Sequence, residues 1–298
     1  MTRLTAPLFC LWLACASVGS TPAAPAQPFS VRVTGHGPPM ILIPGLSSPG
    51  EVWTGVVAHY QDRFECHVLT LAGFAGSSAI DRPLLPAVHD ALARYIREKH
   101  LNRPVIVGHS LGGFTALWLA STNPDLVGPL VIVDSVPWLA GLSAPSITSV
   151  EAEQQADQMR SQIRMATPDQ RAQYARAVAK GMVTDSTQAN RVAVWSMESN
   201  PDTVGDAAYF IMTHDLRSEV SKIQTRALVV GTWLGYRPYA TRDDLLARFT
   251  EQYSACKTCT VTLNDRAKHF VMLDDEKGLV GQIDSFLQAA APTTASTR

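Results

Sequence analysis

A chain of 298 residues, 46% hydrophobic and 17% charged, has enough apolar mass for one large α/β domain with an inserted segment. Its 25 basic and 26 acidic residues leave a net charge of −1, which argues against nucleic acid or an anionic membrane surface as a partner. No internal repeat divides it, and low complexity is confined to the ends.

Arg3 and the apolar run Leu8–Ala14, followed by small residues and prolines from Ala16 to Ala26, read as an export leader. The run is too short to cross a bilayer, so the mature protein is expected to have no stable membrane span. Residues 1–24 are expected to be a signal peptide, and the mature chain periplasmic or secreted. Lipidation at Cys15 is the alternative, although Trp12-Leu13-Ala14 is a poor approach to a lipidated cysteine.

The mature chain then alternates strands and helices. Strands are expected at Phe29–Val33, at Met40–Ile43 (ending in Pro44-Gly45) and at Cys66–Leu71. A helix is expected over Glu51–Tyr60. Another spans Leu85–His100, where Val88, Leu92, Tyr95 and Ile96 share one face. Next, Pro104-Val-Ile-Val107 leads into Gly108-His109-Ser110-Leu111-Gly112, and Gly113–Ala120 leads out as an apolar helix. A serine between glycines in a strand-turn-helix setting is the signature of a nucleophile elbow. The turn demands small neighbours because strand and helix pass close behind a strained serine.

A strand at Leu130–Val133 follows, and then the alternation stops. From 137 to 223 the chain opens with a loop rich in Ser, Pro and Gly at Gly141–Ser149. Helical stretches follow at Val150–Met165, Pro168–Met182, Thr187–Met197 and Asp202–His214. Strands resume at Ala227–Val230 and Cys259–Leu263. Short apolar strands alternating with amphipathic helices imply a mostly parallel sheet flanked by helices on both faces. The insertion reads as a helical cap over the carboxyl ends of the strands, where such sheets bind ligands; a separate domain is the alternative, with few linker features at its exit. The expected organisation is a core of residues 25–136 and 224–291, a cap of residues 137–223, and a flexible tail at 292–298.

Without Cys10 and Cys15, which leave with the leader, the cysteines are Cys66, Cys256 and Cys259. In an exported protein Cys256 and Cys259 suit a local disulfide. The pair does not open a helix after a strand, as a redox motif does. Two thiols without a His or Cys at ligand spacing cannot close a zinc site, so no metal is expected. Cys66 reads as a small buried hydrophobe.

The chain resembles the α/β-hydrolase superfamily, in its serine-nucleophile, esterase- and lipase-like branch with a helical cap. The resemblance rests on Ile43-Pro44-Gly45-Leu46, Leu71–Ser77, the Gly108–Gly112 elbow and Ala267-Lys268-His269-Phe270, and covers essentially the whole mature chain. It implies the order serine, acid, histidine. Ser110 is then the nucleophile, and His269, in a short loop after the last strand, the base that takes and returns its proton. His109 is expected to pack or hydrogen-bond around the elbow; the other six of the eight histidines have no motif around them.

The acid departs from the common pattern. No carboxylate follows the strand Arg226–Gly231 until Asp243. Asp134 instead follows Leu130–Val133 directly, a strand end from which some members of the superfamily take their acid. Asp134 is therefore the expected acid, with Asp243 or Asp244 as competitors and Asp265 as a lesser one. The oxyanion is expected to meet the backbone N–H of Leu111 and, by analogy with the superfamily's early loop, that of Leu46. Trp138, Trp233, Tyr236, Tyr239 and Phe270 follow strand ends and could shape a pocket or simply pack under the cap, while Trp53 packs near the first loop.

The implied activity is cleavage of a small-molecule carboxylic ester through an acyl-enzyme, with no cofactor. A serine nucleophile excludes the aspartyl-nucleophile dehalogenase and epoxide hydrolase chemistries of the same fold. Amidase or peptidase, lactonase and acyltransferase activities remain open, because fold does not fix substrate. A non-catalytic ligand-binding protein that keeps the pocket is the other functional class.

Overall fold

The computed structural model describes residues 26–289. The expected leader with Cys10 and Cys15, and the expected tail at 292–298, lie outside the described residues.

Among the described residues seven strands form one sheet: β1 (Phe29–Thr34), β2 (Pro39–Ile43), β3 (Glu65–Leu71), β4 (Val105–His109), β5 (Leu130–Val133), β6 (Ala227–Thr232) and β7 (Cys259–Asn264). Their order is β1-β3-β2-β4-β5-β6-β7. Only β1 runs antiparallel, against β3; every other neighbouring pair is parallel. β4, β5 and β6 are buried at every position, which is why they read as unbroken apolar runs rather than alternating ones.

Alternation persists in which core each residue enters. Ile41 and Ile43 of β2, Leu130 and Ile132 of β5, and Val229 of β6 pack into one core. That core also takes Val88 and Leu92 of α2 (Leu84–Glu98) and Leu117 of α3 (Leu111–Thr122). Met40 and Leu42, Val131 and Val133, and Val230 point the other way. They meet Val56 and Val57 of α1 (Thr54–Tyr60) and Leu279 and Ile283 of the C-terminal helix Glu276–Gln288. Side chains on a strand point to opposite faces with period two, so a four-residue apolar strand feeds both layers.

Between β5 and β6 the chain forms the cap: α4 (Leu139–Ser143), α5 (Ser149–Met165), α6 (Pro168–Met182), α7 (Ser186–Glu198) and α8 (Pro201–Thr213). α5 packs against α8, and α6 against α7. The starts of these helices are written locally. Thr148 with Glu151 and Thr167 with Gln170 form capping boxes, Asp185 and Asn200 cap α7 and α8, and Pro168 and Pro201 open their helices.

Two expectations need correction. The segment Glu51–Tyr60 is not one helix, because Gly50–Trp53 forms a 3-10 turn before α1. The segment Gly141–Ser149 is not wholly loop, because Gly141 lies inside α4. Leu142 of α4 is buried in the main core and Ala140 in a smaller one among α4, α5 and α8, so tertiary contact overrides weak local propensity. Cys256 and Cys259 form a disulfide, and Cys66 is buried and free. Among the described residues no helix is long and apolar enough to cross a membrane.

Candidate active site

Ser110 is the single residue between β4 and α3, held at φ 52° and ψ −120°. Its N–H donates to the Val133 carbonyl at 2.9 Å, and its own carbonyl accepts from Phe114 N–H at 3.0 Å. The glycines around it are sterically required. A Cβ at Gly112 would lie 2.3 Å from the Ile43 carbonyl oxygen, and one at Gly108 would lie 2.4 Å from that of Gly112. The end of β2 therefore runs directly behind the first turn of α3.

The loop after β2 closes on the same point. A Cβ at Gly45 would stand 2.8 Å from His109 Nδ1 and 3.1 Å from Ser110 Cβ, so the backbone just before Leu46 abuts the elbow. Ser47, next along, turns with φ 59°. Leu111 is the first residue of α3, and the N–H of a first helical residue has no acceptor within its own helix.

Asp134 follows the last residue of β5 with φ 44°, its N–H bonded to the Val230 carbonyl at 2.8 Å. One carboxylate oxygen, Oδ1, accepts from the Thr232 backbone N–H at 3.0 Å. The other, Oδ2, lies 2.6 Å from His269 Nδ1. Asp134's side chain is only 3% exposed and His269's 23%, so the contact is sheltered while the ring keeps an open side. Ser110, Asp134 and His269 line one cavity of about 60 Å³. A larger groove of about 440 Å³ lies at the β1 edge, lined by Arg32, Glu51 and Thr70 among others, and contains none of these three residues.

The competing carboxylates are engaged elsewhere. Asp244 accepts from Thr241 Oγ1 at the start of the helix Arg242–Gln252 (α9), and Asp243 is exposed in its first turn. Asp265 pairs with Arg242 at 2.7 Å. Acidic residues stabilise a helix N-terminus, which accounts for the pair at 243 and 244.

His109 is completely buried, and its Nε2–H donates to the His269 backbone carbonyl at 3.0 Å. Its ring sits 4.6 Å from that of His269 and 4.9 Å from that of Phe270 (centroid distances). The residue before Ser110 thus anchors the loop that carries the second histidine. Burial, and then the nearby His269, hold the His109 pKa well below the ordinary 6.5. A histidine kept neutral in the fold but free to protonate when unfolded contributes stability above pH 6.5 that is lost as pH falls. Chemical denaturation from pH 6.5 downward is expected to show a contribution from His109 of about 1.4 kcal/mol per pH unit. His109→Gln, which keeps a donor but cannot protonate, is expected to remove that part of the slope.

The His269 loop is also tied to the cap. Lys268 Nζ donates to the carbonyls of Lys180 (2.8 Å) and Val183 (3.1 Å), and Phe270 N–H donates to Met182 (3.2 Å). Asp274 accepts from both the N–H and the hydroxyl of Thr184. An ammonium at the C-terminal end of α6 meets its unsatisfied carbonyls and negative dipole end. Sequence reading missed this contact, since nothing local links residue 268 to residue 180.

Of the aromatic residues expected near the pocket, Tyr236 alone lines it. Trp138 is buried and donates to the Met212 carbonyl, Phe270 packs on His109, and Trp233 is half-buried with its Nε1–H on the Ala240 carbonyl. Tyr239 is exposed. Trp53 is fully buried, edge-on to His109.

The family model of the alpha/beta hydrolase fold matches residues 38–260. The chain is 26% identical over 214 residues to a pimeloyl-[acyl-carrier protein] methyl ester esterase of Nitrosomonas europaea, covering 67% of this chain and 78% of that protein. A Vibrio atlanticus protein of the same name is 27% identical over 234 residues, covering 74% of this chain and 87% of that one. Among solved structures, a hydrolase from Pseudomonas aeruginosa superposes with a TM-score of 0.73 at 18% identity, over 87% of this chain and 94% of that one. With a sheet, an elbow and a cap in this arrangement, and a family model that runs from β2 to the start of β7, the chain belongs to the α/β-hydrolase fold family.

Proposed function

We propose that this protein is an exported serine hydrolase that cleaves carboxylic esters through an acyl-enzyme. The carrying observation is the 2.6 Å contact of His269 Nδ1 with Asp134 Oδ2 in the cavity that Ser110 also lines. Asp134 accepts the Nδ1 proton and fixes the tautomer that leaves Nε2 free as a base. Its second oxygen is occupied by the Thr232 N–H, which fixes the carboxylate's orientation.

In the first half-reaction Ser110 Oγ bonds to the ester carbonyl carbon while its proton passes to His269 Nε2. The carbonyl oxygen becomes an oxyanion facing the N–H groups of Leu111 and Leu46, and each such donor is worth about 3 kcal/mol in the transition state. The intermediate collapses by breaking the bond to the alcohol oxygen, which takes the proton from Nε2 and leaves. In the second half-reaction water loses a proton to Nε2 and attacks the acyl carbon. Collapse releases the acid and returns the proton to Ser110. Asp134 stays ionised throughout and stabilises the imidazolium.

Ester cleavage is supported by the similarity to the methyl ester esterases named above. Export is supported by the leader-like residues 1–24 and by the Cys256–Cys259 disulfide, a bond that persists in oxidising compartments. The mature protein is expected to release p-nitrophenol from p-nitrophenyl acetate. A fluorophosphonate is expected to label it stoichiometrically, with the adduct mapped to Ser110 by peptide mass spectrometry. Failure of both, or an adduct elsewhere, rejects the reading. Fractionation of the source cell, with sequencing of the mature N-terminus, tests export.

A further inference from the structure

We infer that the cavity beside Ser110 is an acyl pocket for short, uncharged chains of about two to four carbons; this rests on the esterase reading above. The pocket measures about 60 Å³. For comparison, an engineered apolar cavity of about 150 Å³ binds benzene. The pocket is therefore small beside a cavity that holds a phenyl ring, and its size suits a chain of a few carbons beyond the reacting carbonyl.

Its apolar walls come from separate elements, and Ser135 and Tyr236 line it as well. Phe114 stands one turn into α3, Val136 follows β5, Leu139 and Leu142 share a face of α4, Ile211 comes from α8 and Phe249 from α9. Phe114, Val136, Leu142, Ile211 and Phe249 are buried, and their packing into the main core leaves the walls little freedom to retreat.

The pocket's electrostatics are equally restrictive. Its charged lining residues are Asp134 and His269, which are engaged with each other, and among the described residues no Lys or Arg lines it. A carboxylate buried among these apolar side chains would be desolvated with no Lys or Arg beside it, so half-esters of dicarboxylic acids are expected to be poor substrates.

The acyl side is assigned because the acyl group stays on Ser110 between the two half-reactions, whereas the alcohol must depart with the proton from His269. A pocket walled by the helix that starts at Leu111 suits the group that remains. α4 and α8 belong to the cap, so the cap sets acyl length directly.

The experiment compares kcat/KM for p-nitrophenyl acetate, butyrate and octanoate, and for methyl octanoate against octyl acetate. Acetate and butyrate are expected to exceed octanoate by at least tenfold, and octyl acetate to exceed methyl octanoate. Monomethyl adipate is expected to give no turnover above background. Leu142→Ala and Ile211→Ala are expected to raise the octanoate-to-acetate ratio at least tenfold. Leu139→Ala, at a half-buried position less critical to folding, is expected to raise it in the same direction.

A wild type that takes octanoate as readily as acetate, or prefers methyl octanoate to octyl acetate, overturns the assignment while leaving the esterase reading intact. Unchanged ratios in all three variants overturn it too. Loss of fluorophosphonate labelling in the wild type would instead remove the esterase reading itself.

Discussion

Ser110→Gly is expected to be catalytically dead and yet to melt above the wild type. The activity loss follows from removing the proposed nucleophile: kcat for p-nitrophenyl acetate should fall by about 10⁶, as losses at a serine nucleophile do elsewhere. The stability gain follows from φ 52° and ψ −120°, a combination that crowds any Cβ and that glycine adopts freely. Such strain costs about 1–3 kcal/mol, and glycine's extra loss of chain freedom on folding returns about 0.5–1 kcal/mol. A net gain near 1 kcal/mol corresponds to roughly 2–4 °C in a domain of this size. Ser110→Ala is the internal control, since it removes the same oxygen and keeps the Cβ. It should be equally inactive with no gain in melting temperature. A glycine variant no more stable than the alanine variant would show that the elbow stores no strain.

The second large effect is at Asp134. Asp134→Asn should lower kcat by about 10⁴, with a much smaller change in KM. An amide cannot stabilise the imidazolium, and it can hold the ring in the wrong tautomer. The substitution is sterically mild, because asparagine is among the few residues enriched at positive φ, and Asp134 sits at φ 44°. Its Oδ1 can still accept from Thr232 N–H, so the fold should survive. Asp243→Asn, Asp244→Asn and Asp265→Asn should leave kcat within a factor of about three, each carboxylate being exposed and either at the α9 start or paired with Arg242. Collapse of turnover at Asp243 or Asp244, with Asp134→Asn active, would move the acid to α9.

The two residues have a common physical feature. Ser110 and Asp134 both sit at strand ends with left-handed backbone, where ordinary residues are disfavoured. Each strand end donates to or accepts from the next: Ser110 N–H to Val133, and Asp134 N–H to Val230. The parallel ladder therefore fixes the spacing of adjacent strand ends, and with it the places from which the two side chains start. His269 comes from a loop and needs other restraints. His109 holds its carbonyl from below, and Lys268, Phe270 and Asp274 hold its flanks to the end of α6.

Some of this was legible in the chain alone. Apolar runs of four to six residues mark β2, β4, β5 and β6, because strands buried on both faces need no alternation. Thr148, Thr167, Asp185 and Asn200 announce the cap helices, because capping is a contact over three residues. The glycines flanking Ser110 mark the elbow for the same reason: the steric demand falls within five residues. Asp134 was legible only as one candidate among four, the acidic residue that ends an apolar strand.

Other features depend on residues far apart in the chain. No local signal makes Leu139–Ser143 helical, and α4 forms where Leu142 finds the main core. Neither Lys268 nor its acceptors on α6 carry a motif, and the size of the pocket depends on side chains from α3, α4, α8 and α9 at once. The sequence by itself determined the sheet, the elbow and the starts of the cap helices, because propensity, capping and the steric needs of tight turns act over a few residues. Only the tertiary structure decided which carboxylate meets His269, what anchors that loop and how little room lies beside Ser110. Those properties are distances between side chains brought together by packing, and one-dimensional spacing does not encode them.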